Sequence, residues 1–493
     1  MIYLYTSQNW EEIKQAIGNV EGLTEATHIE SLAEIDETKP HLIIDHDYIK
    51  VSLPWDGTEP PVMFAPIPFD LDDIISIILF KLGYAEQALQ FNSSRLVLDA
   101  IKCGLQLQYL DRLIFTPSSD HPDYFSWHNH AILAHYAGHL YNEVSVESLY
   151  EQAIEISPSE EHAACTAKHL AVQLLDTHNT EAAEELIRQY LELALSERSK
   201  KYLELDLINV LMTTHHTNLD RTNAEEIKDL IWNAIKYFED QNTQWVVANL
   251  YSSASELTNL EKSYSESLGY ISKAITIYSE EELPEFLASA YLRKGTLLYT
   301  WAQDGNPQFY QAAIDTFQEA IKTFTREHFP HVFAEIHHNM AVIYAEMPAD
   351  DKKKAMWSAF SATSFKECLE FYEKNVYPYE YAMVANNYAN ALLKYPPAKT
   401  GDNAEKAVYY YLEALEIRNA ENFPNERAHS ILNYLEACWR VHNINNTMER
   451  ARYKDMLAKA REVKELTNNQ ELMNQAKAHL EQLSALSLAI LNG

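Results

Sequence analysis

Residues 378–424 read PYEYAMVANNYANALLKYPPAKTGDNAEKAVYYYLEALEIRNAENFP, and this stretch is one copy of a repeat. Prolines open the successive copies at intervals of 46, 48 and 46 residues: Pro284, Pro330, Pro378 and Pro424. Four positions after each proline lies an alanine, and eleven positions after it lies a second small residue in three copies: Gly295, Ala341 and Ala389, with Leu435 in the fourth. Positions four and eleven share one face of a helix, where small side chains let a neighbouring helix approach closely.

A second pattern precedes each proline by ten residues, where a small side chain closes a small–large–small triplet. The triplets are Ser267/Ile271/Ala274, Ala313/Phe317/Ala320, Ser361/Phe365/Cys368 and Ala407/Tyr411/Ala414. Spacings of i, i+4 and i+7 form one stripe along a helix. Each helical hairpin therefore leaves its apolar stripes half covered, and successive hairpins must stack to bury them. The pattern predicts a mainly α solenoid of helical hairpins.

The small–aromatic–small triplet and the small residue within the first helix resemble the tetratricopeptide repeat family. The resemblance covers residues 241–442 and, less fully, 122–240. The period of 46–48 residues is longer than the family's usual 34. The resemblance implies a right-handed α-α superhelix that binds peptides or protein segments along a concave face lined by the first helices. It also implies that the chain is not an enzyme.

Four segments are predicted along the chain. Residues 1–66 alternate strand and helix patterns, with strands over Ile2–Thr6, His41–Ile44 and Pro61–Phe64, and indicate a small α/β unit. Prolines across 54–70 indicate a linker. Residues 67–121 form a helical N-cap region, 122–467 the hairpin solenoid, and 468–493 a C-terminal capping helix. Eight hairpins are expected, at 122–156, 159–196, 199–240, 241–281, 284–327, 330–375, 378–421 and 424–465.

Composition limits the function. The 493 residues carry a formal net charge of −33, which disfavours binding to nucleic acid or to an anionic membrane and leaves open a partner with basic segments. Four cysteines lie far apart, three of them inside helical patterns, as expected for reduced core residues of a cytoplasmic protein. Eleven glycines suit long helices and argue against a glycine-rich phosphate loop. No cofactor is expected, and no membrane span.

The candidate peptide site lies on the first helices, nine positions after each proline. Arg293, Asn339, Asn387 and Asn433 occupy that position, and Asn390 lies one turn beyond Asn387. Amides donate to and accept from a peptide backbone, and Arg293 suits a carboxylate. Asparagine here also suits a bridge between adjacent helices, so both readings stay open. Family members that clamp a C-terminal carboxylate carry lysines one position earlier, where this chain has Leu292, His338, Asn386 and Leu432.

Two stripes of metal-ligating residues lie upstream on consecutive predicted first helices: His128, His135 and His139 on one, and His162, Cys165 and His169 on the other. Imidazole and thiolate groups bind zinc, although neither spacing matches a known zinc signature. Partly buried, hydrogen-bonded histidines would give the same pattern.

The sequence thus predicts a non-enzymatic scaffold or adaptor that binds a protein or peptide in its concave groove. One alternative is a regulator that senses a ligand or phosphate through the N-terminal unit, near Asp45 and Asp47 at the end of a strand. The other is a metal-binding protein or metalloenzyme that uses the two histidine stripes.

Overall fold

The computed structural model describes residues 1–491 except 8–9, 37–38, 46–47, 58, 111, 117–122, 142–144, 216–220, 398–401 and 443–449. The chain divides into two compact units, Met1–Leu250 and Tyr251–Gly493. Helices dominate both units, and one small sheet lies near the N-terminus. The predicted fold class is confirmed.

The N-terminal unit contains a five-stranded sheet in the order β2-β1-β3-β4-β5. Its strands are β1 (Ile2–Thr6), β2 (Thr27–Ser31), β3 (His41–Asp45), β4 (Tyr48–Val51) and β5 (Ile67–Pro68). Strand β1 pairs in parallel with both β2 and β3, and β4 pairs antiparallel with β3 and β5. Helices α1 (Trp10–Gly18) and α2 (Leu23–Ala26) connect β1 to β2. The small α/β unit is confirmed.

Helices follow the sheet in the N-terminal unit: α3 (Leu71–Lys81), α4 (Ala85–Ala88), α5 (Arg95–Gln108), α6 (Tyr124–Tyr136), α7 (Val146–Glu155), α8 (Glu160–Asp176), α9 (Thr180–Leu191), α10 (Glu197–His215) and α11 (Arg221–Asp240). The sheet shares one apolar core with α3 and α5, in which Leu4, Leu42, Ile78 and Ile101 are fully buried. Helix α12 (Gln244–Leu260) spans the division between the units. The predicted domain limits at residues 66, 121 and 467 stay predictions.

The predicted strand Pro61–Phe64 is wrong, because no strand forms there. Side chains of α6 hold this segment instead. Asn129 accepts a hydrogen bond from the Met63 amide through Oδ1 and donates one to the Met63 carbonyl through Nδ2, both at 2.8 Å. Pro60 and Pro61 lack amide hydrogens and cannot donate to a strand ladder, whereas a side-chain amide needs only one residue to face it. The predicted linker is therefore packed, with Val62, Met63 and Phe64 buried.

The C-terminal unit consists of helices α13 (Tyr264–Glu280), α14 (Pro284–Gln303), α15 (Phe309–Ile321), α16 (Pro330–Glu346), α17 (Asp351–Phe371), α18 (Pro378–Leu392), α19 (Asn403–Ile417), α20 (Pro424–Arg440), α21 (Arg450–Leu466) and α22 (Gln470–Leu491). Each of the eight predicted hairpins corresponds to one pair of helices, from α6/α7 to α20/α21. The four repeat prolines are the first residues of α14, α16, α18 and α20. Proline suits that position, since its missing amide hydrogen has no acceptor in the first turn.

Burial follows the repeat register. All twelve triplet residues on α13, α15, α17 and α19 have 0% exposed surface. The alanines four positions after the prolines are at most 2% exposed. At the eleventh position of α14, a Cβ atom on Gly295 would lie 2.9 Å from three atoms of the Phe317 ring. The small residue is therefore required because the aromatic ring of the following helix lies flat against its backbone.

Candidate functional site

Three of the predicted groove residues line one open cavity in the C-terminal unit, of about 430 Å³. Asn387 and Asn390 come from α18, and Asn433 comes from α20. Helix α16 adds Val342, Ala345 and Glu346 to the wall. We call this space the asparagine cavity. Its lining comes from the first helices α16, α18 and α20, with Tyr411 from α19.

Asn387 forms a hydrogen bond with a residue of α16. Its Nδ2 donates to Nε2 of His338 at 3.0 Å. Burial lowers the pKa of His338 to about 4, so the imidazole is neutral near pH 7 and Nε2 accepts the bond. Asn387 therefore makes the inter-helix bridge that was one of the two sequence interpretations.

Asn390 is held from the second helix of the same hairpin. The hydroxyl of Tyr411 donates to Asn390 Oδ1 at 2.5 Å, and Tyr411 is also the central residue of its buried triplet. The pKa of Tyr411 is raised by burial, so the phenol stays protonated and acts as the donor. Because Oδ1 of Asn390 accepts this bond, Nδ2 is the atom of the side chain that can donate a hydrogen bond to a ligand.

Two ion pairs frame the cavity. Lys394 Nζ lies 3.0 Å from Glu346 Oε1, and Arg440 Nη2 lies 3.3 Å from Glu436 Oε1. Glu346 also accepts from the Tyr299 hydroxyl at 2.9 Å. Burial alone would raise the pKa of Glu346, but the hydrogen bond from Lys394 and those from its other donors outweigh it and lower the pKa. The charges at the cavity are thus paired within the protein.

Arg293 and Asn339 do not line the asparagine cavity. Arg293, on α14, forms an ion pair with Glu256 of α12, which leaves about half of its side chain exposed. Asn339 is half-buried on α16. The predicted row of equivalent positions therefore follows successive first helices, but only its α18 and α20 members open into this space. Peptide contact by these residues stays a prediction.

Sequence reasoning missed Glu346, Lys394 and Arg440, although the repeat register contained the signal. Each lies sixteen positions after the proline that opens its copy. Positions nine and sixteen lie two turns apart on the same helix face. Extending the row from position nine to position sixteen would therefore have found all three.

The first histidine stripe is part of the packing between the hairpins and the N-terminal segment. His128 is fully buried; its Nε2 donates to the Pro61 carbonyl at 3.0 Å and its Nδ1 faces the Thr166 hydroxyl at 3.0 Å. Burial lowers its pKa to about 4. His135 lies between the Tyr150 hydroxyl and the Asp176 carboxylate, at 3.0 Å from each. The side chain of His139 lies outside the part of the chain that the structure describes.

The residues of the second stripe also lie in contact with other parts of the protein. His162 Nδ1 lies 2.8 Å from the Ser159 hydroxyl, and burial lowers its pKa. Burial raises the pKa of the Cys165 thiol to about 12, and His169, 7% exposed, faces the Tyr136 hydroxyl at 3.4 Å. Across the described residues, no three His, Cys, Asp or Glu side chains are placed to hold a metal ion. The metal site stays a prediction with no support from the described side chains.

The remaining predicted residues lie elsewhere. Asp45 ends β3 and pairs with Tyr48 across the β3–β4 hairpin, whereas Asp47 lies outside the described residues. All four cysteines are free and buried, which confirms their place in the core. Among the described residues, no helix has the length and the apolarity that a membrane span requires.

The fold resembles solved tetratricopeptide repeat structures. A signal transduction ATPase with numerous domains from Pyrococcus horikoshii, which has a tetratricopeptide repeat sensor, aligns with a TM-score of 0.52 and 12% identity. The alignment covers 83% of this chain and 55% of that protein, so this chain spans about half its length. The chain therefore has a tetratricopeptide-repeat-like fold, as the sequence predicted.

Two further structures align less closely. Yeast Tom70 gives a TM-score of 0.41 and 13% identity over 85% of this chain and 82% of its own. The human IFIT1 dimer with m7Gppp-AAAA gives 0.46 and 15% over 85% and 90%. No protein-family model and no curated protein matches the sequence.

Proposed function

We propose that the protein is a non-catalytic scaffold or adaptor that binds a protein or peptide segment at the asparagine cavity. One observation carries the proposal: amides predicted from the repeat register alone converge on a single open cavity, from α18 and α20. The tetratricopeptide-repeat-like fold supports it, because this fold exposes its first helices as a continuous surface.

The chemistry of the cavity favours an uncharged stretch of polypeptide. Its cations and carboxylates are already paired, Lys394 with Glu346 and Arg440 with Glu436. A charged terminus would have to break one of these pairs, whereas a peptide backbone needs only amide donors and acceptors. The hydrogen bond from Tyr411 holds the Asn390 amide in place, which reduces the ordering cost of binding.

The test compares two double variants of the full-length tagged protein, purified from the organism that encodes it. Asn387→Ala with Asn433→Ala removes two cavity amides. Gln311→Ala with Asn474→Ala removes two exposed amides of the same unit, on α15 and α22, that lie outside the cavity. Co-purified proteins are quantified by mass spectrometry for each variant and for the unchanged chain.

We expect the cavity variant to lose its principal partner by about tenfold, since each hydrogen bond to a partner contributes about 0.5–1.5 kcal/mol. The control variant should retain it. Equal recovery with both variants would show that the partner binds elsewhere. Matching thermal unfolding curves for the two variants would exclude loss of fold as the cause.

A further inference from the structure

A second cavity lies in the N-terminal unit and has a volume of about 650 Å³. One side is formed by β3 and β4 and by the segment that follows them, including Leu53, Trp55 and Phe64. The other side is formed where α6, α8 and α10 begin. We call this space the sheet–helix cavity. Its volume is within the range of small-molecule sites, about 300–1,000 Å³.

Three aromatic side chains form the apolar part of the cavity wall, and each is held in place by contact with a neighbouring ring. Trp55, 3% exposed, stacks on Tyr202 with ring centroids 6.4 Å apart. Phe64 packs edge-on against Phe80 at 5.4 Å. The third ring, Phe125, meets the imidazole of His162 at 5.8 Å. Because these rings are held by the fold itself, a planar apolar molecule would enter a surface that is already formed.

The charged groups of the wall favour an anion. Lys50 is exposed on β4, and Arg198 lies over the Tyr202 ring at 5.7 Å in the first turn of α10. The acidic side chain of the lining, Glu161, is hydrogen-bonded to residues at the start of α10. Its Oε1 accepts from the Ser196 amide at 2.5 Å, and its Oε2 accepts from the Ser199 hydroxyl. The wall thus carries two cations and a carboxylate whose oxygens are hydrogen-bonded, in a chain of net charge −33.

We propose that the sheet–helix cavity binds a small amphipathic organic anion, with a planar apolar body and a carboxylate. The body lies against Trp55, Phe64 and Phe125, and the carboxylate points to Lys50 and Arg198. This site is independent of the asparagine cavity, because the residues of the two cavities belong to different compact units. It places ligand binding beside the sheet at the opposite end of β3 from Asp45.

The test is isothermal titration calorimetry of the full-length protein with 2-naphthoate. We expect saturable binding with one site per chain. The neutral analogue 2-naphthamide has nearly the same shape, and we expect it to bind at least about tenfold more weakly, because it lacks the charge that Lys50 and Arg198 recognise. Absence of saturable naphthoate binding, or equal affinity for the two compounds, would overturn the proposal.

Two variants locate the site. Lys50→Gln with Arg198→Gln should abolish the preference for naphthoate over naphthamide, and Leu53→Trp should block both by filling the cavity. The matched control, Lys14→Gln with Arg95→Gln, removes two cations from α1 and α5 of the same unit and should bind as the unchanged chain does. If the Arg198 change unfolds the protein, Lys50→Gln alone, at an exposed position, should reduce the preference about threefold. Unchanged binding by the Leu53→Trp protein, or a preference that is the same with and without Lys50, would refute the assignment.

Discussion

At the scale of single residues, the repeat register is enforced by steric contact. Two other copies have alanine at the position of Gly295, Ala341 and Ala389. Gly295 has no Cβ because the Phe317 ring lies flat against its backbone, and an added Cβ would stand 2.9 Å from the ring. Glycine within a helix is unfavourable by about 1 kcal/mol relative to alanine, so only a close contact of this kind makes it the better residue.

Gly295→Ala is therefore expected to destabilise the protein by about 1–2 kcal/mol, since the overpacking against Phe317 exceeds the gain in helix propensity. Gly269→Ala is the matched control, because Gly269 lies on α13 with nothing within 4 Å of an added Cβ. It should raise stability by up to about 1 kcal/mol. Urea unfolding measures both, and the same sign for the two changes would contradict the steric explanation.

His128 gives a prediction for pH. Burial lowers its pKa from the ordinary 6.5 to about 4, so the unfolded chain binds a proton on this side chain between those values and the folded chain does not. Its contribution is complete above pH 6.5 and is lost progressively as the pH falls towards 4, to a total of about 3 kcal/mol. His128→Gln should flatten the stability profile over this interval. A slope that is the same in both proteins would exclude His128 as its source.

At the scale of secondary-structure elements, side chains replace missing backbone partners. Asn129 on α6 makes both hydrogen bonds that a neighbouring strand would offer to Met63. His128, one residue earlier, donates to the Pro61 carbonyl. The segment over residues 61–64 is thus fixed by consecutive residues of one helix rather than by the sheet.

Asn129→Ala should release this segment, because it leaves the Met63 amide and carbonyl without partners at a cost of about 1–3 kcal/mol. The expected observation is faster hydrogen exchange at Met63 and Phe64, with little change in α7. Asn179→Ala is the control, since Asn179 precedes α9 without a side-chain capping bond. Slow exchange at Met63 in the Asn129 variant would show that packing alone holds the segment.

These elements also show what sequence reasoning reached. The helices were predictable because the repeat provides four aligned copies of one pattern, and prolines mark where α14, α16, α18 and α20 begin. The segment at residues 61–64 was not, because its partner, Asn129, is 66 residues away and the local apolar pattern also suits a strand. The sheet–helix cavity escaped prediction for the same reason, since its walls come from segments far apart in sequence.

At the scale of the whole molecule, stability is distributed over neighbouring hairpins. Helix α16 packs on α17, and α18 packs on α19, with contacts between successive first helices. In such arrays stability is close to a sum of local terms, and a lesion affects its neighbours first.

Hydrogen exchange of the Gly295→Ala protein should therefore show lower protection in α14 and α15 and unchanged protection in β1 and β3 of the other unit. The expected pattern follows from the contact of Gly295 with Phe317, which is confined to one hairpin. Mass spectrometry after peptic digestion resolves the two regions. A uniform loss of protection along the chain would show that the protein unfolds as one cooperative body.

The contact between Trp55, which follows the β4 strand, and the later helix α8 has a consequence for synthesis of the chain. Lys168 of α8 donates to the Trp55 carbonyl at 3.0 Å, across 113 residues of sequence. At translation rates of about 5–20 residues per second, Trp55 precedes this partner by about 6–23 s. During that interval Trp55 has neither Lys168 nor the Tyr202 ring on which it stacks in the folded chain. The nascent chain thus exposes the Trp55 indole early, and the ribosome-bound stage is where a chaperone would have its best opportunity to bind it.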